Sequence, residues 1–71
     1  MEYEKIVGYT TYLVEIKKWS PEDNLAEIHV EAVNEFGIKF KICTNHSDGF
    51  GKYIWSKPDE FSKNYKILTT L

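Results

Sequence analysis

The chain has one cysteine, no arginine, no glutamine and two prolines in 71 residues. A single cysteine excludes an intrachain disulfide, and no apolar run approaches the roughly 20 residues that cross a bilayer as a helix. The opening Met1-Glu2-Tyr3-Glu4-Lys5 lacks the basic and then apolar profile of a secretory signal. A reducing cytoplasm is the expected setting, with no membrane. The missing arginine bears on partners, because arginine is the usual fork for bidentate contacts to phosphate and guanine. All nine basic residues are lysines and the net charge is -2, so nucleic acid is the disfavoured partner. Chains this short rarely hold two cores, so residues 1–71 read as a single domain, and a large enzyme is excluded.

Aromatic residues make up 15% of the sequence, and in so small a domain they supply much of the core. Phe, Tyr, Met, Ile, Asn and Lys, whose codons are AT-rich, account for 30 of the 71 residues, which points to a low-GC bacterial or phage genome.

Period two dominates the chain. From Tyr9 to Lys18, Tyr12, Val14 and Ile16 share one face of a first strand, with Leu13, Glu15 and Lys17 on the other. Ser20-Pro21-Glu22-Asp23 suits a single helical turn, with Ser20 as cap and Pro21 at the first position. Between Leu25 and Thr44 the alternation is clearest. Ala26, Ile28, Val30 and Ala32 alternate with Glu27, His29 and Glu31; beyond Glu35-Phe36-Gly37, Ile38, Phe40 and Ile42 alternate with Lys39 and Lys41. This predicts a hairpin with a three-residue loop and Gly37 in the left-handed position, pairing residues whose numbers sum to 72. Val30 then faces Ile42, Ala32 faces Phe40 and Glu31 faces Lys41. Asn45 to Gly51 is a loop rich in turn formers. Lys52 to Ser56 reads as a fourth strand, with Tyr53 and Trp55 on one face and Ile54 on the other. A short helix is expected from Pro58 to Asn64, with Phe61 and Tyr65 on one side, and a last strand from Lys66 to Leu71.

The tail Trp55-Ser56-Lys57-Pro58-Asp59-Glu60-Phe61-Ser62-Lys63-Asn64-Tyr65 resembles the strand followed by Pro-Asp-x-Phe-x-x-x-Tyr that ends assorted small phage-encoded proteins. The resemblance covers 11 of the 71 residues and implies a phage origin. It transfers no catalytic residue.

Several residue combinations carry chemistry in principle. In the register above, His29 and Cys43 lie opposite each other, the arrangement of a thiolate nucleophile beside an imidazole. No third group orients the histidine and no oxyanion donor is evident, so the pair reads as part of the sheet and no catalytic residue is assigned. Cys43-x-x-His46, with His29 and Asp48 nearby, offers zinc ligands without the paired cysteines usual in structural sites, so no metal or other cofactor is assigned. Gly49-Phe50-Gly51 places a phenylalanine between glycines, either as an apolar tip that enters a partner or covers a ligand, or as a plug folded back onto the domain. Tyr3, Tyr9, Tyr12, Trp19, Tyr53 and Trp55 exceed what one sheet face needs, so some are expected at the surface.

The expected architecture is mainly β: about five antiparallel strands in a small SH3-like or partly open barrel, with one short helix near residues 58–64. The expected function is non-enzymatic protein binding, in the manner of a phage-encoded inhibitor or adaptor of a host protein acting in the host cytoplasm. Phe36, Phe50, Tyr53 and Trp55 are the candidate contacts. Edge strands in so small a sheet also allow two copies to pair as a homodimer. The competing class is a small-ligand or single-stranded nucleic-acid binder that uses the same aromatics with Lys39, Lys41 and Lys52.

Overall fold

The computed structural model describes residues 5–44 and 51–71. Five strands form one antiparallel sheet: β1 (Thr10–Ile16), β2 (Leu25–Asn34), β3 (Gly37–Ile42), β4 (Tyr53–Ser56) and β5 (Tyr65–Thr70). One helix, α1 (Pro58–Asn64), joins β4 to β5, and a 3₁₀ turn at Pro21–Asp23 joins β1 to β2. The first four strands lie in chain order and β5 returns beside β1, giving β4-β3-β2-β1-β5. This is the expected five-stranded, mainly β architecture with its short helix. The sheet is open and unclosed, so β4 and β5 are its two edges.

Alternation in β1 and β2 does what the sequence predicts. Tyr12, Val14 and Ile16 are buried on one face of β1, beside Ala26, Ile28 and Val30 of β2 and Ile38, Phe40 and Ile42 of β3. The Tyr12 hydroxyl, carried into this core, accepts the Val7 N–H at 2.9 Å, which satisfies the buried phenol and ties the chain before β1 to the sheet. Ser20 makes no side-chain cap to the 3₁₀ turn; the Asp23 N–H closes it by donating to the Ser20 carbonyl at 3.0 Å.

The hairpin departs from the expected register. Ile28 faces Ile42 and Val30 faces Phe40, but further along Ala32 faces Lys39, Val33 faces Ile38 and Asn34 faces Gly37. Glu31 is the extra residue between the two stretches, a β-bulge. Only Glu35 and Phe36 are left in the turn, and neither has a positive φ. Asn34 Oδ1 stabilises the turn by accepting the N–H of Phe36 at 2.8 Å and of Gly37 at 3.1 Å. A two-residue turn with no bulge would set Glu31 against Phe40, which is why alternation alone argues for a three-residue loop. The bulge absorbs that one-residue offset and returns Val30 and Ile28 to the core face. Two placements change as a result. Val33 packs against the core in place of Ala32, and Glu31 meets the ammonium of Lys39 at 3.2 Å instead of that of Lys41.

Gly37 has φ 158°, not the left-handed conformation expected of it, and it is also needed for space. A Cβ there would lie 2.5 Å from the Ser56 carbonyl oxygen and 3.2 Å from its carbon, so the first residue of β3 is the point where β4 passes closest. A second bulge, at Leu68, separates the pairs Leu13 with Thr69 and Val14 with Ile67. The chain then enters β5 directly from α1, with the Tyr65 N–H bonded to the Phe61 carbonyl and its own backbone extended. Pro58 at the start of the helix, and Asp59 and Glu60 in its first turn, suit the positive end. The helix lays Phe61 on the sheet. Its ring meets Phe40 edge-on at 5.3 Å between centroids and stacks on Tyr65 at 5.0 Å, which holds α1 against β3 and fixes where β4 must end.

Candidate functional site

β4 is only four residues long, and antiparallel pairing to β3 sets the direction of each side chain. Tyr53 pairs with Lys41 and Trp55 with Lys39 on the outer face, while Ile54 pairs with Phe40 and Ser56 with Ile38 on the core face. The separation of Tyr53 and Trp55 from Ile54 is the one that alternation predicts. With no strand beyond β4, all three of its large side chains face solvent: Tyr53 is 41% exposed, Ile54 41% and Trp55 57%. The strand bonds to β3 along one edge, and among the described residues no strand pairs with its other edge of N–H and C=O groups.

Lysines frame the aromatic residues. The Lys41 ammonium is 5.2 Å and that of Lys39 5.6 Å from the centroid of the Tyr53 ring, within cation–π reach. The next residue inward along the row is His29, opposite Lys41, with its Nδ1 3.0 Å from Thr11 Oγ1. The outer face thus carries a row of Tyr53, Lys41, His29 and Thr11 across four strands.

The predicted contacts divide by location. Tyr53 and Trp55 lie side by side on β4. Phe36 occupies the tip of the β2–β3 turn, 77% exposed and one residue beyond the Gly37–Ser56 approach, so it stands at the Ser56 end of the same strand. Phe50 lies outside the described residues. Of the other aromatics, Tyr12 is buried and Trp19 packs against the core, while Tyr9 is 84% exposed with φ 58° in the turn before β1. Tyr9 is a bulky side chain in the left-handed region, a feature that composition does not signal.

The juxtaposition of His29 and Cys43 is overturned by the register. His29 faces Lys41, and Cys43 lies beside Glu27, whose carbonyl accepts the Cys43 N–H at 2.8 Å. The two-residue turn and the bulge are together the cause, each shifting the pairing by one from the expected sum. His46 and Asp48, the other candidate zinc ligands, lie outside the described residues; among those described, no three His, Cys, Asp or Glu side chains are grouped to hold a metal ion. Among the same residues, no helix is long and apolar enough to cross a membrane.

No family model, curated protein or solved structure matches the chain.

Proposed function

We propose that the protein is a non-enzymatic binding module that docks an extended segment of a partner protein along β4. The observation that carries this reading is an edge strand, with no partner beyond it among the described residues, on which three consecutive large apolar side chains are each more than two-fifths exposed. Strand addition takes its affinity from main-chain hydrogen bonds and its selectivity from alternate side chains, and Tyr53-Ile54-Trp55 offers both. Trp and Tyr are also the residue types that most often dominate protein interfaces. Phe36 extends the surface at one end.

Linear peptides selected from a random display library on the intact protein, with counter-selection on Trp55→Ala, test the reading. Titration of the selected peptides should shift the backbone amide NMR signals of Tyr53 to Ser56 most strongly. Failure to select any peptide, or shifts centred on the opposite edge at β5, would refute docking at β4.

A further inference from the structure

We infer that the segment docking on β4 is an acidic extended strand of another protein, whose carboxylates meet Lys39, Lys41, Lys52 and Lys57, an inference that rests on strand docking at β4. The charges of the chain are unevenly distributed. Overall it has 11 acidic and nine basic residues, yet the stretch from Gly37 to Lys57 contains four lysines and a single acid, Asp48. Within β3, β4 and the residues that bracket β4 the charged side chains are thus lysines, while the acids Glu35, Asp59 and Glu60 lie in the turn before β3 and in the first turn of α1. Glu31 already partners Lys39 at 3.2 Å, but Lys41 has no carboxylate partner among the described residues and rests against the Tyr53 ring. Lys52 and Lys57 bracket β4 in sequence, and both are exposed.

A strand added to β4 lies about 5 Å from it and about 10 Å from β3. Carboxylates on its outer-facing residues can reach over Tyr53 toward Lys41, and those at its ends toward Lys52 and Lys57. Opposite charges set on neighbouring strands favour pairing, and like charges oppose it.

That rule weighs against a second copy as the occupant. Antiparallel pairing of all four β4 residues with the same strand of another molecule sets Lys52 opposite Lys57 at both ends. Single-stranded nucleic acid is also less well served. Base stacking needs open ring faces, whereas two ammonium groups already approach Tyr53, leaving Trp55 as the one unencumbered ring on the strand.

The test titrates the intact protein with a soluble Glu-Val repeat peptide, a Lys-Val repeat peptide of equal length, and oligothymidylate, following the β4 amide signals. The Glu-Val peptide should bind about tenfold more tightly than the Lys-Val peptide at low salt, as two or three exposed ion pairs allow. The advantage should shrink at high salt and reverse in the double variant Lys52→Glu, Lys57→Glu, whose exposed positions leave folding intact. Equal binding of the two peptides would overturn the acidic partner while leaving strand docking in place; binding of neither would overturn both. Tighter binding of oligothymidylate would assign the surface to nucleic acid. A dimer in sedimentation that Trp55→Ala dissociates would assign it to a second copy.

Discussion

Replacing Gly37 by alanine tests the packing that brings β4 to its place. The added Cβ would sit 2.5 Å from the Ser56 carbonyl oxygen, well inside ordinary van der Waals contact, and the obstacle is backbone. No rotamer change relieves it; β3 and β4 must move apart. Overpacking of this kind costs about 1–3 kcal/mol, and stretching the ladder of a four-residue edge strand puts the cost at about 2–3 kcal/mol. A chain of this length is stable by roughly 4–10 kcal/mol, so the loss is a large fraction. At about 4–8 °C per kcal/mol, the thermal midpoint should fall by about 8–24 °C. Circular dichroism melting measures the midpoint, and amide hydrogen exchange should show the greatest loss of protection in β4. The φ of Gly37, 158°, lies far from the left-handed well that asparagine tolerates, so Gly37→Asn should be at least as damaging as Gly37→Ala. A midpoint within about 2 °C of wild type for Gly37→Ala, with β4 protection unchanged, would refute the close approach.

The bulge at Glu31 predicts that Ala32→Thr, on the outer face, changes stability by no more than about 0.5 kcal/mol, whereas Val33→Ala costs about 1–2 kcal/mol; urea denaturation should find this order, and the reverse order would restore the three-residue loop. Tyr9→Gly should raise the thermal midpoint, because the tyrosine holds φ 58° while mostly exposed and glycine relieves about 1 kcal/mol of strain with little packing lost; an unchanged or lower midpoint would mean that the exposed ring makes a compensating contact. Burial raises the Tyr65 phenol above its ordinary 10.0. The folded state therefore holds that proton more tightly than the unfolded chain, so the stability it contributes is complete below pH 10 and declines as pH rises through the folded value. Urea midpoints measured from pH 9 to 11 should fall more steeply for wild type than for Tyr65→Phe, and parallel slopes would contradict the burial effect.

Side-chain alternation made the strands, their partners along the chain and the inward faces of β1 and β3 legible from sequence, because burying one face of a sheet imposes period two directly. The helix was legible for another reason. Pro58 is a local signal for its start; the rings of Phe61 and Tyr65 stack, but Tyr65 is the first residue of β5 with extended backbone and not part of the helix face expected of the four-residue spacing. Pairing in the hairpin was not legible at Glu31. A bulge adds one residue without breaking the visible alternation up to Val30, and its effect, exchanging Ala32 for Val33 on the core face, is small because both are apolar. Gly37 misled for a similar reason: a glycine in the left-handed position of a three-residue loop and one placed for a neighbouring strand look alike in sequence. Only the approach of Ser56, 19 positions later, tells them apart.

For the candidate site, the sequence identified the aromatic residues but not what makes their location consequential. Tyr53 and Trp55 alternate with Ile54 as any half-buried strand would, and the same pattern in a central strand would have placed Ile54 in the core. What decides the matter is that β4 ends the sheet, and this follows from long-range order: β5 returns to pair with β1, not with β4. The seven-residue α1 carries the chain from one edge to the other, anchored by Phe61 against Phe40. Closing the sheet by pairing β5 with β4 would cover the open edge and the exposed Ile54 together. The same connection that leaves the sheet open therefore leaves β4 at its edge, where the proposed docking would take place, and symmetric self-pairing of that edge would set Lys52 opposite Lys57.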